Sequence, residues 1–161
     1  TLKVVKIIFS MAELDSKDLR ILELLRHDAK MTSQQISKKT LIPVTTVHNR
    51  IKKMEASGVI KGYTVQLDHK KLGKNITAFI LITVTYLLPG GRKISQMELA
   101  RSIAAFPAVD ETNIVTGGTD IIAKVRVKDM DELNKFVISD LRGLDGVENT
   151  QTIIVISTPG I

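Results

Sequence analysis

No cysteine occurs in the 161 residues. That excludes a disulfide framework and any thiolate metal site, and an intracellular protein fits the absence best. No apolar run approaches the ~20 residues needed to cross a bilayer. The longest candidate, residues 78–88, is interrupted by Thr83 and Thr85. Residues 2–9 are apolar apart from Lys3 and Lys6, and are shorter than the apolar core of a signal peptide. Residues 1–10 are therefore read as an extension, either upstream of a natural start at Met11 or added to the chain. Its apolar residues can also supply a strand that pairs with another subunit. Metal-ligand spacing is missing too, since His27, His48 and His69 stand far apart. No phosphate-binding glycine loop, serine nucleophile elbow or zinc protease motif is present. These absences give no catalytic residue, no metal and no cofactor to propose.

Acidic residues are scarce in one stretch, and that scarcity is informative. Between Lys30 and Lys74 there are ten Lys/Arg and only two acids, Glu55 and Asp68. From Asn75 onward, eight basic residues face ten acidic ones. The contrast predicts two modules, of which only the first meets a polyanion. A solvated basic face without a partner remains the alternative on charge alone.

The first module reads as three helices over residues 11–63. Asp15, with Asp18 three residues on, starts a helix to about His27, and its apolar face is assigned to Leu19, Leu22 and Leu25, broadened by Ile21 and Leu24. Thr32 or Ser33 caps a short second helix around Ile36. Pro43 suits the first turn of a third, over residues 43–57, which Gly58 ends. Two helices joined by so short a turn form the helix-turn-helix pattern. At ~100° per residue, Val47, Ile51 and Met54 share one stripe of the third helix, with Val44 beside it. The opposite face carries Thr45, Asn49, Lys52 and Lys53, with Thr46 at its edge and His48 and Arg50 on the flanks. Amide and hydroxyl groups there can read base edges in a major groove. Arg50, Lys52 and Lys53 can neutralise phosphates. Ser33, Gln34 and Gln35 open the second helix, where phosphate contact is plausible and simple capping explains Ser33 equally well. Residues 59–67 alternate as an extended wing or connector, and 64–75 form a hinge.

The second module, residues 76–161, reads as strand, helix, strand, strand, helix, strand. The strands are placed at 76–86, 109–116, 120–127 and 147–158, with a tight turn at Gly117-Gly118. Ser95 with Glu98 opens a helix through Phe106, and Asp129 with Glu132 opens one through Leu141. This βαββαβ order is the ferredoxin-like arrangement, so the fold class is α+β. Both helices should cover one face of the sheet, yet the first and last strands are apolar on both sides. Such a sheet needs a second cover, most simply another copy in a two-fold dimer.

Taken together, these pieces resemble the Lrp/AsnC family of feast/famine regulators over residues 12–158. The resemblance rests on Leu14-Asp15 with Asp18 through Leu25, then Pro43-Val44-Thr45-Thr46-Val47-His48-Asn49-Arg50-Ile51. It continues in Gly58-Val59-Ile60-Lys61-Gly62-Tyr63, Leu72-Gly73 and Thr116-Gly117-Gly118-Thr119-Asp120. Leu144-Asp145-Gly146-Val147 and Thr150-Gln151-Thr152 complete it. It implies a winged helix-turn-helix on double-stranded DNA, dimers through the ferredoxin-like domain, often an octamer of four dimers, and a cytoplasmic regulator with an amino-acid effector. The implied effector positions are Gly117, Gly118 and Asp120, with Thr150 and Thr152 nearby. Glycine N–H groups can hold a carboxylate and Asp120 an ammonium; a plain hairpin capped by Asp120 is the alternative. The chain departs from the pattern at Asn49-Arg50, where many relatives carry two basic residues, and at Thr119, where a larger residue is common. Operator and effector therefore do not carry over. Two rivals remain from the sequence: an architectural protein coating DNA without strong sequence preference, and a ferredoxin-like small-molecule sensor or enzyme.

Overall fold

Four of the five α-helices among the described residues start where a short polar side chain bonds a free backbone N–H group. The computed structural model describes residues 14–158, so the extension at residues 1–10 lies outside the described residues. The chain forms two compact units that divide between Gln66 and Leu67.

The first unit holds α1 (Ser16–His27), α2 (Ser33–Thr40) and α3 (Val44–Ala56). Asp15 caps α1 reciprocally: its carboxylate accepts the N–H of Lys17 and of Asp18, and the Asp18 carboxylate accepts the N–H of Asp15. Thr32 and Gln35 repeat the device at α2. Pro43 precedes α3, and Gly58 follows it with a left-handed φ of 76°. Ile21, Ile36, Ile42, Val47 and Met54 make the core.

One expectation about α1 is corrected. Leu19 is 56% exposed, and the buried face centres on Ile21, with Asp18 one turn before it. Helix α1 has more apolar residues than one stripe can hold, so tertiary packing selects among them. A carboxylate takes a buried place there because Arg50 neutralises it. Val44, expected beside the buried stripe of α3, is likewise exposed.

Between α2 and α3, Leu41 adopts a left-handed φ of 59° while its side chain is 90% exposed. Its N–H still bonds the Ser37 carbonyl at 2.8 Å. A left-handed non-glycine residue costs about 1–2 kcal/mol, whereas glycine adds back up to about 1 kcal/mol of chain entropy. Leu41→Gly is thus expected to raise stability by about 0.5 kcal/mol in chemical denaturation. A lower midpoint at unchanged slope would show that the exposed side chain contributes packing.

The second unit contains β1 (Ile76–Val84), α4 (Gln96–Ala104), β2 (Val109–Ile114), β3 (Ile121–Val127), α5 (Met130–Lys135) and β4 (Val147–Ile154). The four antiparallel strands lie in the order β2-β3-β1-β4, the ferredoxin-like topology. Several bounds differ from the sequence expectation. Strand β1 stops at Val84 and β4 at Ile154, short of residues 86 and 158. β-branched residues extend the propensity further, but a strand ends where its partner ends. The β2–β3 connection spans residues 115–120, closed by the Val115 N–H on the Asp120 carbonyl at 2.9 Å. It is longer than the tight turn that Gly117-Gly118 suggested. The last helix changes to π-helical turns over Phe136–Leu141. Residues 61–68 join no ladder among the described residues.

On one face of the sheet, Ala78, Ile80, Ile82, Ile121, Ala123 and Val125 are fully buried beneath Leu99, Ile103, Leu133, Phe136 and Leu141. The Phe106 and Phe136 rings meet edge to face at 5.5 Å beside this core. On the other face, Phe79 stands opposite Ile153 and Leu81 opposite Ile122. That face is only half-buried, and Ile153 is 46% exposed.

Candidate functional site

Burial of Val47 and Met54 fixes α3 to its bundle and turns Thr45, His48, Asn49, Lys52 and Lys53 toward solvent. Thr46 is half-buried at the edge of that face. Among the described residues, the side chains of Thr45, Asn49, Lys52 and Lys53 form no intramolecular hydrogen bond or ion pair. Two cations, one amide and one hydroxyl are therefore available on a single helical surface. At the start of α2, Gln34 is exposed and Ser33 half-buried. The Gln35 side-chain oxygen accepts the Thr32 N–H at 2.8 Å, so only its amide N–H₂ remains to meet a ligand.

Arg50 is placed differently from its neighbours. Its Nη1 lies 2.7 Å from Asp15 Oδ2 and 2.8 Å from Asp18 Oδ1. Hydrogen bonding to Asp18 and then Asp15 raises the Arg50 pKa further above its ordinary value. The Asp18 N–H and, after it, the Arg50 guanidinium hold the Asp15 carboxyl below its ordinary value, against partial desolvation. Both acids are visible in the sequence as helix-starting residues, but nothing in the local pattern reveals a partner 35 positions from Asp15 and 32 from Asp18.

In the second unit the implied effector residues form two groups. Gly117 and Gly118 are exposed, and a Cβ at either would meet open space. Asp120 is heavily engaged. Its carboxylate accepts the Val84 N–H at 2.8 Å and the Tyr86 hydroxyl at 2.5 Å, and its carbonyl accepts from Gln96 Nε2 at 3.0 Å. That hydrogen bond to Asp120, with some desolvation, raises the Tyr86 pKa. The Asp120 N–H bonds the Ile82 carbonyl from the β3 side of β1. Thr150 and Thr152 lie on the β4 side, opposite Ile82 and Ile80. Two strand spacings, roughly 10 Å, separate the groups. Within one chain, β1 lies between these two groups. Thr150 accepts a hydrogen bond from Arg142 Nε at 3.0 Å.

Sequence reasoning had not singled out Tyr86, Gln96 or Arg142. The first reads as the tail of a strand, and the other two carry no motif. It also missed an open cleft of about 370 Å³ beside the start of α4, lined by Arg92, Lys93, Ser95, Glu98, Ser102 and Asp145 among others. Arg92 and Asp145 are ion-paired at its rim.

Comparison with known proteins adds the following. Residues 14–61 match the family described as winged helix-turn-helix DNA-binding, and residues 77–160 the Lrp/AsnC ligand binding domain. The HTH-type transcriptional regulator FL11 of Pyrococcus horikoshii is 38% identical over 146 residues, covering 90% of this chain and 91% of that protein. An uncharacterized HTH-type transcriptional regulator of Pyrococcus furiosus is 42% identical over 145 residues, covering 89% of this chain and 94% of that one. Among solved structures, AsnC of E. coli superposes with a TM-score of 0.76 at 26% identity, covering 92% and 95% of the two chains. A Neisseria meningitidis transcriptional regulator in complex with L-Met gives 0.82 at 25% identity, covering 92% and 93%.

Proposed function

The chain belongs to the Lrp/AsnC family of transcriptional regulators, and we propose that it acts as a dimer, placing one α3 in each of two successive major grooves under the control of a bound amino acid. The observation that carries this reading is the outer face of α3. It presents Thr45, Asn49, Lys52 and Lys53 directly opposite the buried Val47 and Met54. In this reading Asn49 reads a base, with Thr45, Thr46 and His48 beside it. Lys52 and Lys53, with Ser33, Gln34 and Gln35 at the start of α2, meet the phosphates. The dimer forms through the half-covered sheet face around Phe79, Leu81, Ile122 and Ile153, leaving room for higher assembly to an octamer. The effector's carboxylate rests on the N–H groups of Gly117 and Gly118 and its ammonium on Asp120. Thr150 and Thr152 come from a second copy, because within one chain β1 stands between the two groups. The protein works in the cytoplasm by binding and does not act as an enzyme.

Binding to its own promoter and to a scrambled duplex, across a salt series, tests the reading. Operator preference of ~10³-fold or more is expected. Asn49→Ala should erode that preference by about 1–3 kcal/mol. Lys53→Ala should weaken both duplexes alike and flatten the log K against log salt slope by about 1. Equal wild-type binding to promoter and scrambled duplex would instead identify an architectural DNA-coating protein.

A further inference from the structure

We infer that Arg50 is a positioning residue for DNA recognition: held by Asp15 and Asp18, it fixes the rotation of α3 on the bundle and so aims Asn49. This rests on the DNA-binding reading above and goes beyond it in giving Arg50 a role other than phosphate contact. The four carboxylate oxygens around it are each assigned. Asp15 Oδ1 accepts the N–H groups of Lys17 and Asp18, and Asp18 Oδ2 accepts the N–H of Asp15. The remaining oxygens, Asp15 Oδ2 and Asp18 Oδ1, both face Arg50 Nη1. The acids are thus set in place by the cap of α1, and the guanidinium docks onto a prepared pair.

Side-chain exposure is 25% for Arg50 and 12% for Asp18. Moving Arg50 to a phosphate would leave an almost buried carboxylate unpaired, beside a second carboxylate, facing an incoming polyanion. The contacts of Val47, Ile51 and Met54 are apolar and non-directional, so they tolerate small rotations of α3. A charged, hydrogen-bonded clamp does not, and it grips α3 at the residue next to Asn49.

The test uses R50Q, D18N and the double variant in the full chain. Affinity for promoter and scrambled duplex is measured across salt, and each variant is checked by thermal unfolding. Positioning predicts that R50Q and D18N each reduce promoter preference at least tenfold at an unchanged salt slope, with the double variant no worse than the worse single. A phosphate contact predicts that R50Q lowers the slope by about 0.9 and weakens both duplexes equally, while D18N frees Arg50 and tightens both; that result overturns the assignment. Unchanged preference in both single variants overturns it too. Loss of the folded first unit at 25 °C in both would leave only a stability role and overturn it as well. A wild-type chain that binds neither duplex overturns the assignment together with the reading beneath it.

Discussion

Leu81→Asp is expected to turn the proposed dimer into single chains of 17.8 kDa and to abolish tight promoter binding while the fold persists. Leu81 lies on β1, the strand flanked by β3 and β4, and faces away from the helices. Its cross-strand neighbour there is Ile122, and Phe79 next along the strand faces Ile153. Within one chain this patch is only half-covered, so an aspartate can still reach water and the core beneath it is untouched. Between two copies the same carboxylate would be desolvated without a partner, and two-fold symmetry applies the change twice. A loss of about 4 kcal/mol or more in association, a thousandfold in Kd, follows. Promoter affinity falls with it, because the second half-site no longer benefits from effective concentration, a factor of roughly 10²–10⁴. Light scattering reads the mass and thermal unfolding checks the fold. An unchanged mass would place the dimer contact on another surface.

The second large effect is expected at Gly146, in the turn before β4. It holds a φ of 96°, and a Cβ there would come within 2.7 Å of Ile94 Cγ2. Its carbonyl also accepts the Thr85 N–H at 2.9 Å, so the turn cannot shift away freely. Gly146→Ala combines a backbone conformation that side chains rarely adopt with overpacking against a branched residue. A loss of about 2–4 kcal/mol in the stability of the second unit is expected from chemical denaturation. Gly118→Ala is the control. Its φ is not left-handed and the space around it is open, so its effect should stay within about 0.5 kcal/mol. Equal losses at the two glycines would show that the Ile94 contact carries no weight.

Much of this architecture could be read locally, because local chemistry sets it. Asp15 with Asp18, Thr32 with Gln35, Ser95 with Glu98 and Asp129 with Glu132 mark helix starts within four residues of chain. Runs of β-branched residues mark the strands, and their order specifies the topology. The outer face of α3 follows from 3.6-residue periodicity alone. What escaped the sequence depends on groups distant in the chain. The ion pairs of Arg50 with Asp15 and Asp18 carry no local signature, because the two acids belong to the start of another helix. The bonds that Asp120 accepts from Tyr86 and Val84 could not be read, because those groups lie 34 and 36 residues away. Leu19 looked buried because periodicity proposes several apolar faces and only packing chooses one. Leu41 in a left-handed turn has no local signature, since glycine is the residue such a turn advertises.

The position of β1 in the sheet also governs how the chain reaches this structure. One of its partners, β4, ends at Ile154, paired with Ala78 across 76 residues of chain. The sheet therefore cannot be completed until that last strand has been made, and closing so long a loop is slow. Helices α1, α2 and α3 pack on one another within residues 16–56, joined only by near neighbours such as Leu14 and Ile60, and contacts that local form early. During synthesis the first unit should be folded while β1 still waits with an unpaired edge, the interval in which this chain is most exposed to aggregation.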